Sequence, residues 1–167
     1  GATGFTGALV AEYLETHHSE IRWAIAGRSL PKLASVKKQL GNAELPTIEA
    51  DSGSATDMAR LAGTTKVIIS TVGPYAQHGT KLLEACAAEG THYCDLTGEP
   101  QWMAAVFEKV SDMAEESGAR LVHCCGFDSI PSDLGVFVAQ KIMRERHGVY
   151  ATHVSGRMGP SKGAVSG

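Results

Sequence analysis

The sequence predicts an α/β fold of the doubly wound type, in which a parallel sheet carries helices on both faces, and three observations support this. Helical and strand periodicities alternate along the chain. A glycine-spaced loop, Gly1-Ala2-Thr3-Gly4-Phe5-Thr6-Gly7, runs straight into the first helical segment. Residues suited to ligand chemistry fall just after the apolar strand-like runs. Each parallel crossover needs a helix-length return, so this alternation is what a parallel sheet requires.

In chain order, Ala8 to His17 places Leu9, Val10, Tyr13 and Leu14 at helical spacing, and Ile21 to Ala26 reads as a short buried strand ending at Gly27. Ser29 can cap a helix with Pro31 in its first turn, running through Leu33 and Val36 to Leu40. A strand over Thr47 to Ala50, a helix around Asp57 to Leu61 and the strand Lys66 to Thr71 follow. Next come a helix from Gly79 to Ala88 stopped by Gly90, a strand at His92 to Asp95, and a helix from Gln101 to Ser117 ended by Gly118. Arg120 to Cys125 supplies another strand, Pro131 opens a helix to Glu145, and Val149 to Arg157 reads as one more strand.

Composition narrows the function classes. The 167 residues are 43% hydrophobic, enough to fill a core and to exclude intrinsic disorder. Fifteen Lys+Arg stand against 18 Asp+Glu, with a net charge of −3, so no overall basic bias points to nucleic acid. No apolar run approaches the ~20 residues of a membrane-spanning helix. Cys86, Cys94, Cys124 and Cys125 form no C-x-x-C pair and read as buried reduced thiols in a cytosolic setting. The histidines show neither H-E-x-x-H nor paired ligand spacing, so no metal is assigned.

The opening loop has G-x-x-G-x-x-G spacing. Glycine there allows a tight turn, close approach of backbone to a pyrophosphate, and close helix packing, while the helix N-terminus faces the anion. Gly1, Thr3, Gly4, Phe5, Thr6 and Gly7 are therefore candidate dinucleotide contacts; the alternative is a plain turn and helix cap. An acidic residue on the ribose hydroxyls would mark NAD. The tip after Gly27 instead carries Arg28-Ser29, with Lys32 one turn on, which favours the 2′-phosphate of NADP(H); the alternative is a pair of solvated surface cations. Asp51-Ser52 is placed to meet the adenine, or to cap the next helix. Val72-Gly73-Pro74-Tyr75 is placed to bring backbone against the nicotinamide ribose.

For the reacting end, Tyr75, His78, Asp95, Glu99 and Asp128 are candidates to polarise a substrate, with Tyr75 and Asp128 preferred as donors or orienters. Asp128, Ser129, Ser132 and Asp133 also suit helix capping. No Y-x-x-x-K is present, since Tyr13, Tyr75, Tyr93 and Tyr150 precede His17, Gly79, Thr97 and Val154 by four positions, which tells against a short-chain dehydrogenase. His123 reads as a core histidine, and Trp23 and Trp102 as packing residues.

The glycine loop, Ala26-Gly27-Arg28-Ser29, Thr71 to Tyr75, Thr91 to Glu99 and His123 to Asp133 occur in an order that resembles the amino-terminal domain of the saccharopine dehydrogenase-like oxidoreductases. That group includes trans-acting enoyl reductases of complex-lipid biosynthesis. The resemblance implies a Rossmann-like NADP(H) domain, with Gly1, Gly4, Phe5, Thr6 and Gly7 at the phosphates, Arg28 at the 2′-phosphate, and Gly73, Pro74 and Tyr75 beside the nicotinamide. It further implies reduction of an enoyl or related unsaturated acyl or polyketide lipid intermediate, small or carrier-linked. The Cys-Gly-Phe-Asp-Ser-Ile-Pro-Ser-Asp run is closer to this lipid branch than to the amino-acid enzymes. The competing reading is a non-catalytic NADP(H)-binding regulatory module.

The remaining expectations are a cytoplasmic protein with peripheral membrane association through other parts, and a homodimer. Residues 1–147 are expected to form the cofactor domain and 148–167 to begin a second α/β domain. The doubly wound order needs a first strand feeding Gly1, so the natural protein is expected to extend a few residues before Gly1 and substantially beyond Gly167.

Overall fold

The computed structural model describes residues 1–18, 20–157 and 159. They form α1 (Phe5–His17), β1 (Ile25–Gly27), α2 (Leu30–Leu40), β2 (Thr47–Glu49), α3 (Ala55–Ala62), β3 (Val67–Ser70), α4 (Tyr75–His78), α5 (Thr80–Glu89), β4 (His92–Asp95), α6 (Pro100–Ser117), β5 (Leu121–Val122) and α7 (Ile130–His147). The strands make two ladders, β1-β2 and β3-β4-β5, and every pairing is parallel. Among the described residues β1 and β3 are not hydrogen-bonded to each other.

Local chemistry accounts for the element boundaries. Pro31 and Pro100 sit in the first turns of α2 and α6, where a missing N–H costs nothing. The Ser54 hydroxyl accepts from the Asp57 amide at 3.2 Å, and the Asp57 carboxylate accepts from the Asp51 amide at 3.0 Å, so α3 is capped from both sides. Helices α2, α5, α6 and α7 end on Gly41, Gly90, Gly118 and Gly148, all left-handed. A Cβ would be strained at each of these positions.

Packing follows the pleat. Ile68 and Ser70 of β3 and Tyr93 and Asp95 of β4 are buried, and the first and third of these pack with Met58, Leu61, Leu83, Cys86, Ala87, Trp102, Val106 and Val110 of α3, α5 and α6. A smaller cluster gathers Ala11, Ile25, Leu33, Val36 and Leu45 around β1. The alternate side chains Val67, Ile69 and Val122 are about half exposed, and α7 buries no residue. Helical cover over β3 to β5 therefore lies on one face among the described residues.

Two expectations are corrected. Val149 to Arg157 forms no strand. The Gln140 side chain on α7 donates to the Ala151 carbonyl at 2.9 Å and accepts from its amide at 2.8 Å, occupying backbone groups a ladder would need. The thiols are not uniformly buried either: Cys86 is, Cys94 and Cys124 are half-buried, and Cys125 is exposed. Residues 160–167, the end of the expected second domain, lie outside the described residues.

Candidate cofactor and active site

The glycine loop lies against the carboxyl end of β3. The Gly4 amide donates to the Gly1 carbonyl at 3.0 Å, and the Ala8 amide donates to Gly4 at 2.9 Å to begin α1. A Cβ on Gly1 would overlap Thr71, and one on Gly7 would overlap the Gly1 carbonyl and come within 2.8 Å of Ala2 Cα. Only glycine fits this path. No side chain caps α1, which leaves its first-turn N–H groups to an anion. Thr3, Gly4 and Phe5 are exposed beside them and Thr6 is half-buried. The loop thus fits a pyrophosphate group.

Arg28 follows β1 directly, is exposed, and makes no hydrogen bond or ion pair among the described residues. Ser29 caps α2 through its backbone, accepting from the Leu33 amide at 3.0 Å, while its hydroxyl makes no cap bond. Lys32 is exposed one turn on. These three occupy the end of β1, where a ribose and its 2′-phosphate would lie.

After β2, Asp51 closes a turn by accepting from the Gly53 amide at 2.9 Å, and Ser54 takes the capping role at α3. Ser52 is half-buried beside it, and the Lys81 ammonium donates to the Gly53 carbonyl. After β3, Val72 is half-buried, Gly73 and Pro74 are exposed, and their peptide bond is cis.

Tyr75 points inward. It is 5% exposed, and its hydroxyl donates to the Ser70 carbonyl at 3.0 Å while the Leu96 amide lies 3.4 Å away. Burial, with the Asp95 and Glu99 carboxylates adding, pushes its phenol up to about 12. The Glu99 carboxylate accepts from the amides of Tyr75 at 2.7 Å and Ala76 at 2.9 Å, a bidentate clamp that starts the unexpected helix α4. Trp102 stacks on Tyr75 with centroids 5.5 Å apart and donates its Nε1–H to Thr80 at 2.9 Å.

A second network closes the ends of β4 and β5. Asp95, 2% exposed, has Oδ2 2.9 Å from the donating Tyr93 hydroxyl and 2.7 Å from His123 Nδ1. Its Oδ1 accepts from the amides of Thr97 at 3.1 Å and Cys124 at 3.2 Å. Burial opposes the charge. Bonds from His123, Thr97 and Tyr93 outweigh it and hold the carboxyl below its ordinary range. Ionised Asp95 can only accept, so His123 Nδ1 carries a proton. Burial pushes the Tyr93 phenol far up, so it remains a neutral donor. Cys124 is the one non-glycine residue at positive φ among those described, at +60°, a conformation that costs about 1–3 kcal/mol.

The structure therefore gathers the glycine loop, the end of β3 and the Asp95–His123 network along the carboxyl ends of the strands. Asp128 is exposed in the turn before α7, and neither it nor Ser129 makes a side-chain cap there. The Asp95–His123 pairing is what residue-by-residue reading missed. Its only trace in the sequence is an acid ending one strand and a histidine ending the next, which meet only because β4 and β5 pair in parallel with Tyr93 opposite Leu121 and Cys94 opposite Val122.

The sequence profile of the family described as saccharopine dehydrogenase NADP binding domain matches residues 1–123. A Mycobacterium tuberculosis protein, Rv2449c, is 41% identical over 169 residues, covering 100% of this chain and 40% of that one. The trans-acting enoyl reductase of Mycobacterium leprae is 42% identical over 151 residues, 89% of this chain and 36% of its own length. The chain spans well under half the length of these relatives. Among solved structures, apo histidine-tagged saccharopine dehydrogenase (L-Glu forming) from Saccharomyces cerevisiae superposes with a TM-score of 0.67 at 17% identity, covering 87% of this chain and 30% of that one, which shows a common fold. With a loop that admits no Cβ at Gly1 or Gly7 and a profile match over most of its length, this chain belongs to the saccharopine dehydrogenase NADP-binding domain family, whose cofactor is NADP(H).

Proposed function

We propose that the whole protein is an NADP-dependent oxidoreductase that reduces an enoyl or related unsaturated acyl or polyketide lipid intermediate, presented as a small molecule or on a carrier. The observation that carries this reading is the glycine loop seated on the end of β3, with no room for a Cβ at Gly1 or Gly7, within a chain 42% identical to a trans-acting enoyl reductase. A bound reduced nicotinamide supplies hydride. The chain's own residues bind and orient. Gly1, Gly4 and Gly7 admit a pyrophosphate to the backbone, Arg28 and Lys32 meet the 2′-phosphate, and Glu99 holds the Gly73–Tyr75 turn in place. Tyr75 serves as a packed support for that turn. The cofactor domain is taken to run over residues 1–147, a reading supported by Gly148, whose left-handed conformation closes α7.

The test is NADPH oxidation by the full-length protein with crotonyl and longer enoyl thioesters. Turnover with formation of the saturated acyl product supports the reading. Tight NADPH binding without oxidation by any enoyl thioester refutes it and marks a non-catalytic module.

A further inference from the structure

We infer that His123 is a proton-transfer residue of this site, held in position by Asp95, and that its target is the carbanion-like carbon of an α,β-unsaturated carbonyl substrate. The choice of acceptor rests on the enoyl-reductase reading; the role of the imidazole rests on geometry. One ring nitrogen is pinned, with Nδ1 2.7 Å from Asp95 Oδ2, while Nε2 has no partner among the described residues and the side chain is 21% exposed. A histidine that merely completes a core has both nitrogens satisfied. Here one is committed to a fixed carboxylate and the other is left open, the arrangement by which an acid orients an imidazole for chemistry.

Asp95 cannot swing away, because four donors from Tyr93, Thr97, Cys124 and His123 surround its two oxygens. The ring is wedged edge-on against Trp102, with centroids 5.1 Å apart, and against Tyr93 at 6.1 Å. Its backbone neighbour Cys124 is held at positive φ by the same carboxylate. The titratable groups around the ring are Asp95 and Tyr93 on β4 and the thiols of Cys124 and Cys125; α6 contributes the uncharged Trp102. His123 follows β5 at the carboxyl end of the sheet, the end where the glycine loop meets Thr71.

In enoyl reduction the C=C π bond breaks. A C–H bond forms at the β-carbon with hydride from the reduced nicotinamide, which leaves oxidised. A second forms at the α-carbon as the Nε2–H bond of the doubly protonated ring breaks, leaving neutral imidazole with its Nδ1–H still on Asp95, and solvent returns a proton to Nε2.

The experiment uses the full-length protein and two readouts. Diethyl pyrocarbonate modification of His123, followed by mass spectrometry, is compared with and without NADPH plus the saturated butyryl-N-acetylcysteamine thioester. Protection of about fivefold or more is expected. In turnover of the crotonyl thioester, His123→Gln lowers kcat by about 100-fold or more with NADPH affinity unchanged. Asp95→Asn lowers kcat more than it raises KM, and Asp95→Glu restores part of the loss. If His123→Gln retains kcat within about threefold while the wild type turns over, the inference is overturned and the enoyl reading stands. A wild type that is inert yet protected at His123 overturns the enoyl reading and keeps His123 for another acceptor. An unprotected His123 overturns the inference, including where the variants fail to fold.

Discussion

Replacing Asp95 with Asn isolates the charge from the shape of the residue that ties β4 to β5. Its side chain is fully buried, and its two oxygens meet four donors within 3.2 Å. The amide oxygen of Asn can still accept from the Thr97 and Cys124 amides, but its NH2 group then faces the Tyr93 hydroxyl and His123 Nδ1–H. Hydrogen bonds to a charged group contribute about 1.5–3 kcal/mol, and breaking a buried pair costs about 3–5 kcal/mol. Because His123 keeps 21% exposure, water recovers part of that. The expected loss is about 2–4 kcal/mol, a sizeable share of the ~5–15 kcal/mol of a typical domain.

Urea unfolding followed by tryptophan fluorescence and circular dichroism measures this, since Trp102 sits against His123. The pH dependence supplies a second check. The folded carboxyl lies below its unfolded value of about 3.9, so its stabilisation is fully present above that pH and is lost as pH falls through the folded value. The gap between wild type and Asp95→Asn is therefore flat at neutral pH and closes in acid. A loss below about 0.5 kcal/mol at neutral pH with an unchanged denaturant slope would refute the reasoning.

Other substitutions test separate parts of the site. Gly79→Ala places a Cβ 2.8 Å from Trp102 Cζ2 and 2.9 Å from the Tyr75 carbonyl, and should destabilise by about 1–3 kcal/mol in thermal or urea unfolding. Gly7→Ala drives a Cβ into the Gly1 carbonyl, and fluorescence titration should show NADPH affinity reduced by more than about tenfold. Arg28→Ala should weaken NADPH binding by about 10–100-fold and leave NADH unchanged; equal losses for both would remove Arg28 from the 2′-phosphate. Glu99→Ala strips the acceptor from the Tyr75 and Ala76 amides, and should cost about 1–3 kcal/mol while raising hydrogen exchange in α4.

The parallel alternation was legible in the sequence because its period signals are local. Leu33 and Val36 mark a buried helical face, Ile68 lies on a buried strand face, and Gly90 and Gly118 stop helices for steric reasons that need no tertiary context. Val149 to Arg157 shows where such signals mislead. Its β-branched and aromatic residues Val149, Tyr150, Thr152 and Val154 suit a strand, yet the Gln140 side chain takes the backbone groups of Ala151. Helix α4 was illegible for the converse reason, since Tyr75–His78 depends on the Glu99 carboxylate 24 positions away in sequence.

By itself the sequence determined the α/β class, the glycine loop and the cationic tip at Arg28, since each is a short-range pattern of residue types. Only the tertiary structure decided the inner site. It turned the Tyr75 hydroxyl into the core, onto the Ser70 carbonyl. It also brought His123 to Asp95 across 28 positions. Strand register governs such meetings, and register is a long-range property: the parallel pairing of β4 with β5 sets the two side chains within hydrogen-bond reach, which neither residue's own neighbours specify.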